Sequence, residues 1–208
     1  AFLGMLLATV MGLPLGVLSA VKQYSPADSF LRVASTVLVA MPTFWLAMLL
    51  ILVFALYLGW LPAGGALTWQ SYILPTITVG VPYGSKVLRM TRSTMLEEIR
   101  QDYVRTARSK GVPEKKVIYG HALKNALLPV ITTIGSAFGA ILGGSVIAES
   151  VFNLPGLGSL IVLSIKAKDT PSVLASVLLL AVFFALIMLI VDLVYAFIDP
   201  RIKAKYAK

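Results

Sequence analysis

Cysteine is absent from this chain, and histidine occurs once, at His121. The first absence excludes disulfides, thiolate metal sites and cysteine nucleophiles, and the second excludes a multi-histidine metal centre. Charge is also scarce. Only 13% of the 208 residues are charged, against about a quarter in ordinary soluble domains. No Gly-rich phosphate loop of the Walker type occurs, so no ATP is expected on this chain. No nucleophile–base pair stands out either, and no catalytic residue and no metal site are assigned.

What is present is apolar. Hydrophobic residues make up 58% of the chain, too many for a soluble fold to cover with polar side chains. Several runs reach the roughly 20 residues that a helix needs to cross about 30 Å of hydrocarbon. The expected fold class is therefore all-α, a polytopic helical membrane protein. Hydropathy predicts five spans: residues 1–21, 33–58, 72–87, 126–147 and 172–198. The third is interrupted by Pro75 and Pro82. The chain opens at Ala1, inside an apolar run and without an initiator Met. It reads as a fragment whose intact form has a sixth helix upstream.

The charges sort by side. Residues 22–32, a long basic loop and the tail from Arg201 to Lys208 carry sixteen of the eighteen Lys and Arg, leaving Lys166 and Lys168 opposite. The positive-inside bias places the basic loop and C-terminus in the cytoplasm, and it accounts for the net charge of +9 without nucleic acid. Trp60 and Trp69 flank an outer loop as interfacial anchors. Gly4, Ala8, Gly12, Gly16 and Ala20, and again Gly135, Gly139 and Gly143, place small residues at four-residue spacing. Such stripes suit either tight helix packing or a sliding interface.

Residues 86–124 hold ten of the cations. Hydrocarbon cannot solvate so many, so this stretch is expected in water or against another protein. MLEEIRQDYVRTARSK reads as one helix, with Glu97 and Glu98 early and Arg105, Arg108 and Lys110 late, as the helix dipole favours. Gly111 is placed at the C′ position, and Pro113 at the first position of a second helix with Glu114 in its first turn. The segment 102–111 offers only Tyr103, Val104 and Ala107 as an apolar face. That is a poor lipid anchor and suits a groove on a protein better.

The stretch YVRTARSKGVPEKKVIYGHALKNALLPVITTIG resembles the cytoplasmic "EAA" loop of binding-protein-dependent ABC importer permeases, within them the dipeptide/oligopeptide branch that includes nickel and glutathione importers. The general pattern is Glu-Ala-Ala, three residues, Gly, then nine residues and Ile-x-Leu-Pro. Arg105, Thr106, Ala107 and Gly111 fall on its first part; His121, Leu123 and Lys124 fall on its second. Arg105 stands where other branches carry an acid. Residues 148–158 and 192–201 are similar to the family's outer segment and C-terminal ending. The resemblance covers essentially the whole chain.

It implies a MetI-like permease fold and a single transmembrane domain over 1–208, with a cytoplasmic coupling loop at about 88–124. The implied coupling residues are Tyr103, Arg105, Thr106, Ala107, Arg108, Gly111, Glu114, His121 and Leu123. Ala107 and Gly111 are expected to supply close fit to an ATPase, and Arg105 and Arg108 polar rim contacts. The implied partners are cytosolic ABC ATPases, which carry the ATP and Mg, a second homologous permease forming a heterodimer, an extracytoplasmic solute-binding protein and the lipid bilayer. The implied location is a bacterial or archaeal cytoplasmic membrane.

Glu149 and Asn153, on the outer side, are candidates for the translocation path or a binding-protein contact, with an ordinary surface loop as the alternative. Asp192 is an intramembrane carboxylate suited to structural pairing ahead of a proton relay. Two other functions compete: a secondary transporter driven by an ion gradient, and a scaffold whose basic loop recruits a soluble protein. On the docking reading, Gly111→Pro and Ala107→Trp each abolish transport of an inserted protein; unimpaired uptake in both variants refutes it.

Overall fold

The computed structural model describes residues 1–198. The expected cationic tail, Arg201, Lys203, Lys205 and Lys208, lies outside them. The described residues are helical almost throughout. In chain order they form α1 (Phe2–Val21), α2 (Pro26–Ala40), α3 (Thr43–Leu50, continued as a π-helix over Ile51–Tyr57), α4 (Ile73–Ile99) and α5 (Asp102–Ser109). A short α6 (Glu114–Lys116) leads through a π-helical segment (Val117–Ala122) into α7 (Leu123–Val151), followed by α8 (Leu157–Lys166) and α9 (Thr170–Ile198).

Among the described residues, three helical stretches are long and apolar enough to cross a membrane: Phe2–Val21, Glu114–Gly143 and Thr170–Leu193. The expected third span, 72–87, lies within α4, which does not reach that apolarity because Lys86, Arg89 and Arg92 fall on it. The expected second span is not one straight helix. Pro26–Ala40 and Thr43–Tyr57 meet at 105° and pass the same test only as a bent pair. The break falls at Pro42, which lacks an N–H and forces Met41 into an extended conformation (φ −70°, ψ 129°). By contrast α1, α4 and α7 continue through Pro14, Pro82 and Pro129. The outer region after α7, read as loop, contains α8.

The central pair is α1 with α4, and small residues bring them together. A Cβ added at Gly4 would meet Val79, at Gly12 Val87, and at Gly16 Thr91. The two helices thus run parallel with a constant offset of 75 residues. The approach is close enough that a Cβ on Gly12 would sit 2.5 Å from the Gly84 carbonyl oxygen. Gly80 and Gly84 repeat the device on α4, against the Gly4 carbonyl and Ala8. In α7, Gly135 faces Val191 and Gly139 faces Phe184 of α9, while Gly143 has open space. The stripes therefore serve packing within the chain, where lipid gives no hydrophobic drive and contact area decides.

Two apolar clusters occupy the ends of this scaffold. One joins Met5, Ala8, Ala47, Leu74, Val79, Ile141 and Phe152; the other joins Val17, Ala20, Met95, Val104, Val117 and Ile118. Near the second sits a fully buried carboxylate. Asp28 accepts from Arg92 Nε (2.7 Å) and Nη2 (2.9 Å), from the Ser19 hydroxyl (2.5 Å) and from the Tyr24 N–H (3.0 Å). Ser25 caps α2 by accepting the Asp28 N–H, with Pro26 just inside the helix. One side chain thereby ties the end of α1, the start of α2 and the inner part of α4.

The register revises the reading of the basic stretch. Lys86 neighbours Val87, which packs on Gly12 midway along α1. Arg89 lies one turn further and Arg92 is paired with Asp28. These three cations run beside an apolar helix of membrane length and do not belong to the water-exposed loop. Each charge held at such depth costs about 2.5–3.5 kcal/mol on insertion scales.

Removing one partner of the Asp28–Arg92 pair strands a charge in a desolvated site. Asp28→Ala and Arg92→Ala should each cost about 3–5 kcal/mol, and the double variant little more than either alone. Denaturant unfolding in detergent, followed by tryptophan fluorescence, measures both; strictly additive losses would count against a coupled pair.

Candidate functional site

The basic stretch folds as a helical hairpin at the end of α4. The helix expected over residues 95–110 is interrupted: α4 stops at Ile99, Gln101 is extended (φ −69°, ψ 151°), and α5 starts at Asp102. α5 closes with a left-handed Gly111 at φ +76°. The Gly111 N–H bonds to the Arg108 carbonyl (2.9 Å) and the Val112 N–H to the Ala107 carbonyl (3.2 Å), the paired bonds of a Schellman turn. Pro113 is the N-cap of α6, one place earlier than expected, and Glu114 opens the helix. Val112 packs against the inner cluster, completing the apolar contact that this turn favours.

α5 has two faces of opposite character. Val104 and Ala107 are buried against Met95, Val117, Ile118 and Ala122. Asp102, Arg105, Thr106 and Ser109 are exposed on the other side. Ala107 therefore packs into the chain's own core. Gly111 is exposed and has no atom within 4 Å of its would-be Cβ, so its role is conformational. Ala107→Trp would accordingly disturb the hairpin itself and does not isolate docking.

Three polar contacts hold the hairpin. Arg108 grips Glu114 through Nη2–Oε1 (2.7 Å) and Nε–Oε2 (3.1 Å), a fork that spans the turn. The arginine holds the Glu114 carboxyl below its ordinary value of 4.5. The Tyr103 hydroxyl donates to Glu98 (2.5 Å). Burial, reinforced by this carboxylate, pushes Tyr103 up to about 12, so it remains a neutral donor. Arg105 makes only a loose contact with Asp102 (3.7 Å) and its side chain is 72% exposed.

From Arg100 to Lys116 six exposed cations accompany two exposed carboxylates, which gives the hairpin a positive surface. His121 is half-buried in the π-helical segment, and Leu123 packs on the inner cluster. Both support the hairpin from below.

The outer candidates take other roles. Asn153 is left-handed (φ +49°) just past the end of α7, where the Leu154 N–H reaches back to the Glu149 carbonyl (2.9 Å). The Glu149 carboxylate accepts the N–H groups of Gly158 (2.7 Å) and Ser159 (3.1 Å) in the first turn of α8. Gly156, at the N-cap, has no side chain to do this, and a Cβ there would collide with that carboxylate. Glu149 is thus a cap borrowed from the preceding helix. Asp192 lies exposed on α9. Sequence reasoning passed over Asp28, although Ser25-x-x-Asp28 before an apolar run is a capping signal.

The family model described as "Binding-protein-dependent transport system inner membrane component" matches residues 12–204. The chain is 43% identical over 201 residues to the glutathione transport system permease protein GsiC of Escherichia coli (strain K12), covering 97% of this chain and 66% of that protein. It is 45% identical to GsiC of Pectobacterium atrosepticum, covering 95% and 65%. The chain thus spans just under two thirds of the length of these relatives. An inward-facing structure of the MetNI methionine ABC transporter superposes with TM-score 0.78 at 19% identity, over 95% of this chain and 90% of that one. At that identity the likeness concerns the fold.

A residue with a Cβ at Gly111 should destabilise the turn by about 1–2 kcal/mol, seen as faster amide exchange at Val112; protection equal to the wild type would overturn the turn assignment. The Arg108–Glu114 fork is present above pH 4.5 and fades as the pH falls through the lower folded value of Glu114. Being exposed, it should contribute below about 1 kcal/mol, and Glu114→Gln should remove this part of the acid response of the same amide.

Proposed function

The chain belongs to the family of binding-protein-dependent transport system inner membrane components, and from that premise we propose that it is the membrane-spanning permease subunit of an ATP-binding-cassette importer. It performs no chemistry itself. Separate ATPase subunits hydrolyse ATP, and an extracytoplasmic binding protein delivers the solute. A second homologous permease completes the path. The solute is glutathione or a peptide of similar size. The observation that carries this reading is 43% identity along 97% of the chain to a glutathione transport permease.

The hairpin is the coupling element, with the basic face of α5 turned to the cytoplasm. Its support is the division of labour on an eight-residue helix. Val104 and Ala107 anchor it to the permease core, and Arg105, Thr106 and Ser109 are left for a partner. Long-range attraction from the surrounding cations favours an acidic or mixed cleft on the ATPase. His121 and Leu123 act behind this face, and Arg108 with Glu114 fixes its shape.

The test is reconstitution of the intact protein with its partners in vesicles. Uptake of labelled glutathione or a labelled tripeptide should require ATP hydrolysis and survive an uncoupler. Arg105→Glu should reduce uptake by roughly tenfold or more while α5 amide protection stays at the wild-type level. Unchanged uptake would remove Arg105 from the coupling face, and uptake abolished by an uncoupler but indifferent to ATP would overturn the importer reading.

A further inference from the structure

Lys86 and Arg89 are expensive residues with no evident employment. Both are exposed on α4, at the depth of the middle and inner half of α1. Among the described residues neither takes part in an ion pair, whereas Arg92 one turn on is fully engaged by Asp28. The Lys86 ammonium lies 4.7 Å from the centroid of the Tyr83 ring, which holds it against the helix. A cleft of about 370 Å³ opens here, lined by Lys86, Arg89, Met90, Ser93 and Thr133.

The neighbouring surface of α7 carries exposed polar side chains. Asn125, Thr132 and Ser136 are exposed on it. The contrast is with α9, whose exposed residues include Leu174, Leu178, Val182, Phe183 and Leu186. That surface suits lipid; a face of Tyr, Lys, Arg, Ser and Thr at the same depth suits water. Intramembrane cations that face a cavity mark solute or ion paths.

We propose that the Tyr83–Lys86–Arg89 face of α4, with Ser93 and with Thr133 of α7, is an anion-selective step that holds a carboxylate of the solute in transit. Arg89 offers a planar fork for the carboxylate and Lys86 a mobile point charge. The Ser93 hydroxyl supplies a neutral donor as the group moves on, and Thr133, whose hydroxyl donates to the Pro129 carbonyl (2.9 Å), forms the opposite wall. The inference rests on the importer reading above and narrows it to solutes that carry a negative group.

The chain has no cysteine, so Thr133→Cys places a unique thiol of this chain in the cleft. In vesicles of the intact transporter it is treated with an anionic sulfonate and a cationic trimethylammonium methanethiosulfonate. The anionic reagent should react roughly tenfold faster, and the preference should vanish in Thr133→Cys carrying Lys86→Gln/Arg89→Gln. S-methylglutathione, which keeps the carboxylates but has no thiol to consume the reagents, should slow the reaction. Two further measurements go with it. In Lys86→Gln/Arg89→Gln, labelled glutathione uptake should fall by roughly tenfold while ATP hydrolysis continues, with Lys86→Arg/Arg89→Lys restoring uptake.

No reaction with either reagent would mean a lipid-facing surface and would overturn the proposal, as would a preference that outlives both cations. A sharp loss of the anionic reaction when phosphatidylglycerol is added to phosphatidylcholine vesicles would assign the cleft to a lipid headgroup and overturn it too. A wild type that takes up no glutathione with ATP, while Thr133→Cys keeps the cation-dependent labelling preference and its slowing by S-methylglutathione, would sink the importer reading while supporting the cleft.

Discussion

The buried Asp28–Arg92 pair is the constraint on which the inner half of the molecule depends. A carboxylate with no exposed surface cannot stand alone in an apolar protein, and this one has its oxygens filled by a guanidinium, a hydroxyl and a backbone N–H. The donors come from α4, from α1 and from the turn between α1 and α2. The pair therefore settles where α2 starts and where α4 stands against α1. Once α4 is placed, so are the inner cluster, the hairpin seated on it and the cationic face at Lys86.

Above that lock the packing is steric. Glycine and alanine on α1 and glycine on α4 let two backbones touch along most of a membrane's depth, with Gly12 and Gly84 in mutual contact range. The same tolerance for close approach recurs where α7 meets α9. Small buried hydroxyls such as Thr78 and Ser85 are tolerated within this packing, while charged groups stand at the lock, at the Glu149 cap of α8 and along the face of α4 that carries Lys86 and Arg89.

Much of this was legible in the residues. Composition and run length gave the membrane class, and Gly111 followed by Pro113 gave the turn, because only a few residue types accept its backbone angles. The motif wording gave the family, to which the matched relatives agree. The inward turn of Ala107 was not legible, since an eight-residue helix with three apolar positions does not say which side finds a core. Pro42 was a visible breaker, but breakers within Pro14, Pro82 and Pro129 are tolerated, and neighbouring helices decide between the two outcomes. Hydropathy closed the third span at residue 87 and so put Lys86 at its inner edge, because it averages a charged face with the apolar one behind it. Only the register against α1 reveals its depth. Glu149 looked available because the N–H donors it accepts from lie nine and ten residues away, on a helix whose own cap is glycine.

α4 is an unbroken 27-residue helix, about 40 Å of continuous backbone hydrogen bonding. Tyr83, Lys86, Arg89, the Arg92 half of the Asp28 lock and the residues leading into the hairpin all sit on this one rod. A rod of that length is a lever with its pivot near the lock. With the pivot at Arg92, a tilt of about 5° moves the backbone at Lys86 by roughly 1 Å and the outer end of the helix by roughly 2–3 Å. Motion that crosses the extended link at Gln101 reaches Lys86 along uninterrupted helix, so the proposed coupling hairpin and the proposed anion step share one element.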